Sequence, residues 1–216
     1  MKKMLFTLLC CLVAAWSCNL DGSYSAKNVQ DIVTVAADKQ LVSDTGVKYY
    51  ITEVAKDAPA LEEGKRYYII FDILNINYDI SIATVMPVQI VAAEKEDENE
   101  EITAHDPIQV VFNWIGRSYV DLGFSYYCDE TSNCAHDVFA RYTLTNGGSH
   151  LRISLYHDGN DENPASMDPK LLKTEDRIIS IPISQWDLSS VSLSMDILTT
   201  DSDGNYIVER KEYSSQ

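Results

Sequence analysis

Arg66-Tyr67-Tyr68-Ile69-Ile70-Phe71-Asp72-Ile73-Leu74 is an almost unbroken run of aromatic and branched side chains, and its reading decides the fold class. The run has the length of a strand, and Tyr, Ile and Phe suit the pleated, half-buried surface of a sheet. Turn chemistry precedes it at Glu62-Glu63-Gly64. Outward from it, residues 31–37 and 47–54 read as further strands, with Asp44-Thr45-Gly46 as a turn between them. Residues 80–93 form a longer one, in which Pro87 predicts a bend or bulge because proline cannot donate to a ladder. Four or five strands of this size suit a small closed β-barrel over residues 28–93.

Residues 94–101, EKEDENEE, then break the pattern with six acidic side chains and one lysine in eight positions. Like charges repel, and nothing in the stretch can be buried, so residues 94–106 read as a solvated interdomain linker. A calcium site is the sharper alternative, but the stretch lacks the glycine and the alternating ligand spacing of a dedicated loop. A second strand series follows at 108–115, 119–127, 138–145, 150–156, 177–183, 191–199 and 206–213. Asn146-Gly147-Gly148-Ser149 is a hairpin signal, and Asp201-Ser202-Asp203-Gly204-Asn205 is a turn into the last strand. Short strands with regular turns predict an antiparallel β-sandwich over residues 107–216. No stretch holds a helical period, and no internal repeat is visible.

The N-terminus has the three parts of an export signal. Lys2 and Lys3 are positive, residues 4–15 are apolar but too short for a comfortable membrane span, and Ala15-Trp16-Ser17 leads into Cys18. Small residues before a cysteine form a lipobox, with Trp16 as its departure from pattern. Residues 1–17 are therefore expected to be a signal peptide, Cys18 the lipid-bearing first residue, and residues 18–27 a polar tether. An ordinary secretory signal with an incidental cysteine is the plainer alternative. The membrane is then a partner through the lipid, and the expected location is the cell envelope, at the outer membrane. The formal charge of −16 repels phosphate backbones, so nucleic acid is not an expected partner.

Cys128 and Cys134 remain. In an oxidising envelope they can form a disulfide that clips the polar segment between them, at a gain of about 2 kcal/mol. Zinc, with His136 nearby, is the alternative, but two thiols and one imidazole do not complete a structural tetrahedron. His105, His136, His150 and His157 show no metal-ligand spacing, and no Gly-x-Ser-x-Gly elbow or phosphate loop is present. Asp72, Asp79 and Asp121 lie in or near strands, yet no spacing selects a pair for glycoside hydrolysis. The acidic loops 157–163 and 201–205 offer oxygen ligands for calcium without matching its twelve-residue pattern. No catalytic residue, resident metal or cofactor is expected. Adjacent tyrosines at 49–50, 67–68 and 126–127 should face opposite sides of their strands, leaving one of each pair outward for contact with a partner.

The lipobox, the start Asp21-Gly22-Ser23-Tyr24, and the block Asp106-Pro107-Ile108 leading to Trp114-Ile115-Gly116 and Tyr119-Val120 together resemble the NigD-like lipoproteins of Bacteroidetes. The resemblance extends over essentially the whole mature chain. It implies an N-terminal OB-like barrel followed by a C-terminal β-sandwich, and a role suggested by a bacteriocin-associated operon, namely immunity. It supplies no catalytic residues. The expected function is a non-catalytic module that binds an envelope protein or peptide, and the alternative is a glycan-binding accessory lipoprotein of a polysaccharide-uptake system.

Overall fold

Every second side chain of β4 (Arg66–Ile73) is buried hydrophobe: Tyr67, Ile69, Phe71 and Ile73 are all at most 5% exposed. Their neighbours Tyr68, Ile70 and Asp72 are half-buried, as the two-residue period of a strand requires. The computed structural model describes residues 24–97, 106, 108–129, 131, 134–160, 168, 171–200 and 206–213. Among them there is no α-helix, and a short 3₁₀ turn at Asn146–Gly148 is the helical element described. The chain divides into two units, the second comprising Pro87 onward together with Asp44–Gly46.

The first unit contains β1 (Ala26–Val35), β2 (Leu41–Ser43), β3 (Lys48–Val54), β4 and most of β5 (Asp79–Ile90). β1 pairs antiparallel with β2 and β4, β2 pairs with β3, and β4 lies beside β5. β3 and β5 then pair in parallel, Tyr50 opposite Asp79 and Val54 opposite Ile82. The pairings therefore form a ring, β1–β2–β3–β5–β4. Inside it pack Val33, Leu41, Tyr49, Ile69, Phe71, Ile80 and Ile82, with Phe71 against Tyr49 edge-to-face at 4.9 Å. Full burial of each aliphatic side chain contributes about 1.5–3 kcal/mol. Arg66, at 1% exposure, is a buried charge in this unit, and its Nη1 donates to Thr34 Oγ1 at 3.2 Å.

The second unit is a sandwich. One sheet runs from the last residues of β5 through β11 (Leu172–Pro182) and β8 (Tyr119–Asp129) to β7 (Gln109–Ile115). The other runs β13 (Tyr206–Tyr213), β12 (Ser192–Thr200), β10 (His150–Asp158), β9 (Asp137–Thr145), β6 (Ala93–Lys95). Between them lie Val120, Leu122, Phe124, Leu151, Ile153, Ile179, Ile181, Leu193, Met195 and Ile197. The β9–β10 connection is the hairpin that Asn146-Gly147-Gly148 signals, with φ of 53°, 70° and 95° at those three residues.

The sandwich is not antiparallel throughout. β10 pairs in parallel with β12, β6 with β9, and β5 with β11. The reason is connectivity: the chain leaves β10, crosses to the opposite sheet as β11, and returns beside β10 as β12, so β10 and β12 run in the same direction. Pro87 lies within β5 at the point where the strand passes from the first unit into the second, and Gln89 and Ile90 pair there with Ile179 and Ser180. The start of the acidic stretch is strand rather than linker. Glu94 sits opposite Arg141 and pairs with its guanidinium, and Glu96 accepts from Thr143 Oγ1 and from Arg152 Nη2. These cross-strand partners offset the charge of Glu94 and Glu96; residues 98–105 lie outside the described ones.

Candidate functional site

The densest polar chemistry among the described residues lies at one end of the sandwich core. β8 contributes Tyr126 and Cys128, β10 contributes His157, β11 contributes Arg177, and the β8–β9 connection contributes Cys134 and His136. Cys128 and Cys134 are joined by a disulfide with Cα atoms 5.2 Å apart. This ring brings His136 back over the core, where it stacks on Tyr126 with centroids 4.6 Å apart. His136 Nδ1 and His157 Nε2 lie 3.0 Å apart, and both histidines are at most 5% exposed. His157 Nδ1 meets the carbonyl of Asp106 at 3.2 Å. A carbonyl can only accept, so Nδ1 carries the proton of neutral His157, Nε2 is bare, and His136 Nδ1 donates to it.

Arg177 completes the cluster. Its Nη1 donates to the carbonyl of His136 at 2.7 Å, its Nη2 to Tyr126 Oη at 2.8 Å, and its guanidinium lies over the Tyr126 ring at 5.2 Å. Tyr126 Oη in turn donates to the Cys134 carbonyl at 3.3 Å. Asp106 accepts from the Gly159 amide at 2.8 Å. Burial pushes the His157 imidazole down to about 4, with the Asp106 hydrogen bond opposing and His136 and Arg177 adding to the fall. The arrangement keeps His157 neutral and spends its polar atoms on neighbours, so it acts as a clasp between β8, β10 and β11.

Cys128 and Cys134 do not present free thiols to a metal in this geometry. Both sulfurs are engaged in the disulfide, and His136 faces His157 and Tyr126. No group of three His, Cys, Asp or Glu with metal-binding geometry occurs among the described residues. His150 lies elsewhere, on the outer face of the five-stranded sheet, with Nδ1 2.7 Å from Ser192 Oγ and Nε2 2.9 Å from Ser194 Oγ. This contact was invisible in the sequence, because the parallel pairing of β10 with β12 creates it across 42 residues. It differs from a Ser-His-carboxylate relay. Each ring nitrogen meets a hydroxyl, and nearby Asp196 is taken by two hydrogen bonds from Arg210, at 2.6 and 2.7 Å.

The same outer face carries the second candidate. Phe139 of β9 and Tyr156 of β10 stack at 5.3 Å, and the Arg141 guanidinium lies 5.7 Å from the Phe139 ring. Arg152 and Arg210 stand on the same side of their strands, paired with Glu96 and Asp196. Two strand tyrosine pairs divide between inside and outside: Tyr49 and Tyr126 are buried, whereas Tyr50 and Tyr127 are 45% and 52% exposed. The strand carboxylates do not assemble into an acid–base pair. Asp72 accepts from the Asn28 amide, Asp79 from Asn75 Nδ2, and Asp121 from Ser180 Oγ. Of the loop 157–163, Asp158 accepts from the Asn160 amide at 2.8 Å. Cys18, His105, residues 161–163 and the loop 201–205 lie outside the described residues. No described helix is long and apolar enough to cross a membrane.

Comparison with known proteins places this geometry. No curated protein matches the chain. Among solved structures, a NigD-like immunity protein from Bacteroides caccae is 18% identical, with a TM-score of 0.63 over 89% of this chain and 99% of its own. A protein of unknown function from Bacteroides vulgatus is 13% identical, with a TM-score of 0.64 over 89% of this chain and 92% of its own. A Bacteroides fragilis protein provisionally described as a lipoprotein is 14% identical, with a TM-score of 0.60 over 88% of this chain and 99% of its own. At these identities the likeness is one of fold. The sequence profile of the NigD-like C-terminal β-sandwich domain matches residues 89–202, more than half of the chain and most of its second unit, so the chain belongs to the NigD-like family.

Proposed function

We propose that this NigD-like protein is an envelope lipoprotein, anchored through Cys18, that binds a protein or peptide partner without transforming it. The observation that carries the reading is the outer face of the five-stranded sheet, where Phe139, Tyr156, Arg141 and Arg152 stand on a rigid strand support. Aromatic rings and guanidinium groups of this kind form the energetic centres of protein interfaces, since they bury much area at low entropic cost. The non-catalytic part of the reading rests on two facts. In the Tyr126–His136–His157–Arg177 cluster the tyrosine and both histidines are buried, Arg177 is half-buried and all are bonded to one another, and no described carboxylate hydrogen-bonds to His150. The name of the Bacteroides caccae neighbour favours immunity, in which holding a toxin or its target is enough, over carbohydrate uptake. Lys2-Lys3, the apolar run and Ala15-Trp16-Ser17 before Cys18 support an anchor in the envelope, and we assign it to the outer membrane.

The test uses the soluble form, residues 19–216, immobilised and exposed to envelope proteins and glycans from the cell that makes it. A captured partner should bind at least tenfold more weakly to Phe139→Ala or Arg152→Ala. Turnover of that partner, lost on His150→Ala, would overturn the non-catalytic reading. Capture of glycan alone would replace the protein partner with a polysaccharide.

A further inference from the structure

One end of the first unit carries an apolar tip that its own fold does not cover. β4 ends at Ile73 and returns as β5 at Asp79 through residues 74–78. The loop is locked. Asn75 Oδ1 accepts from the Asn77 amide at 2.9 Å, and Asn75 Nδ2 donates to Asp79 Oδ2 at 2.7 Å. The Leu74 amide donates to the Asp79 carbonyl at 2.8 Å, and the Tyr78 amide to the Asn75 carbonyl at 3.1 Å. Tyr78 takes φ of +60°, a left-handed conformation unusual for an aromatic residue. With its polar groups so engaged, the loop could have turned its apolar side chains inward, yet it does not. Ile76 is 72% exposed, the most exposed large hydrophobic residue described, and Leu74, Tyr78 and Tyr50 are 46%, 37% and 45% exposed. Tyr50 is adjacent, its amide donating to the Tyr78 carbonyl at 3.0 Å. Single exposed hydrophobes are ordinary, but three on one hydrogen-bonded loop with Tyr50 of β3 beside it form a contact patch.

The chain leading to Cys18 arrives at this same end. Ala26 pairs with Ile73, at the edge of the loop, and Tyr24 packs on the core of the unit, near enough to Tyr49 to disfavour ionisation of its hydroxyl. Cys18 lies six positions before Tyr24. At roughly 3.3–3.6 Å per residue these six steps reach about 20 Å at full extension. A lipid on Cys18 therefore confines this end to the neighbourhood of the bilayer surface. The side chains suit it. Lys27, next to Ala26, is exposed at this end, and the half-exposed Tyr50 and Tyr78 join an apolar ring to a hydroxyl, the character of residues at the headgroup layer.

We propose that residues 74–78 with Tyr50 form a membrane-contact tip. Ile76 and Leu74 enter the interfacial layer of the bilayer that holds the Cys18 lipid, and Tyr50 and Tyr78 lie at headgroup level with Lys27 beside them. The inference rests on Cys18 being lipidated. Its consequence is orientation: the first unit lies against the membrane instead of swinging freely on its tether.

The experiment uses full-length, lipidated Ile76→Cys protein carrying an environment-sensitive fluorophore on the new thiol, reconstituted in phosphatidylcholine vesicles. Mass analysis of the N-terminal peptide reports the lipid on Cys18 independently. A matching label at Glu63→Cys, exposed at the opposite end of the same unit, is the water-facing reference. The Ile76 label should shift to the blue, brighten several-fold and be quenched by lipids with a quencher high on the acyl chain, and the Glu63 label should do none of these. Tyr50→Cys repeats the measurement if circular dichroism shows Ile76→Cys misfolded. A water-like Ile76 label on protein with lipid on Cys18 overturns the tip while leaving the anchor intact. A blue shift that appears only with added protein, or only at raised protein concentration, also overturns it, in favour of a partner or a second copy. Absence of lipid on Cys18 overturns the anchor and the tip together.

Discussion

Acidification should loosen the second unit through one buried imidazole. In the folded protein His157 titrates at about 4. In the unfolded chain a histidine titrates near 6.5. Between these values the unfolded chain binds a proton that the folded chain refuses, so stability falls as the pH falls. The loss begins below about pH 6.5 and levels off below about pH 4. At ~1.4 kcal/mol per pH unit, the window amounts to about 3 kcal/mol, a large part of a typical domain's stability. The structural cause is specific: a second proton on Nε2 would point at the proton of His136 Nδ1, 3.0 Å away, inside a cluster that already holds the Arg177 charge. The assay is urea unfolding of residues 19–216, followed by the fluorescence of Trp114 and Trp186, at several pH values between 7.5 and 4. Carboxylates also titrate over the lower part of that range, so the quantity to read is wild type minus His157→Gln. That difference should change by about 3 kcal/mol across the window, which is 1–2 M or so in urea midpoint. Parallel stability curves for the two proteins would refute the reasoning.

Labelled palmitate should enter the full-length protein and be absent from Cys18→Ala; label persisting in that variant would remove the anchor. Protein purified from the envelope without reductant should show no free thiol at Cys128 or Cys134, and Cys128→Ala with Cys134→Ala should lose about 2 kcal/mol, read as a lower urea midpoint. Gly123→Ala should cost about 1–3 kcal/mol, because the added methyl would collide with the Phe112 ring that lies over it, whereas Gly147→Ala would meet no neighbour and suffer only from its φ of +70°. Arg177→Met should cost about 1–3 kcal/mol, since it removes two charge-assisted hydrogen bonds made by a half-buried guanidinium, to the His136 carbonyl and Tyr126 Oη. A melting temperature unchanged from wild type would show the clasp to be unimportant for stability.

The sequence by itself determined the class of the fold, because the evidence for it is local. Alternation in residues 66–73 names the face each side chain takes, Asn146-Gly147-Gly148 supplies the positive φ of a tight turn, and Asp106 to Val120 carries the family resemblance. A period of two tells which residues point together but not which strand lies alongside, so pairing was left to the tertiary structure. Parallel β10 and β12, the ring-closing contact of β3 with β5, and the pairing of Glu94 with Arg141 all join residues far apart in the chain. The site was hidden for the same reason. His136, His157 and Arg177 show no common spacing, and they meet because three strands and a disulfide end at one corner of the core. Ile76 was equally unreadable: an isoleucine between two asparagines could pack inward or stand outward, and the Asn75–Asp79 hydrogen bonds that hold the loop decide that it stands outward.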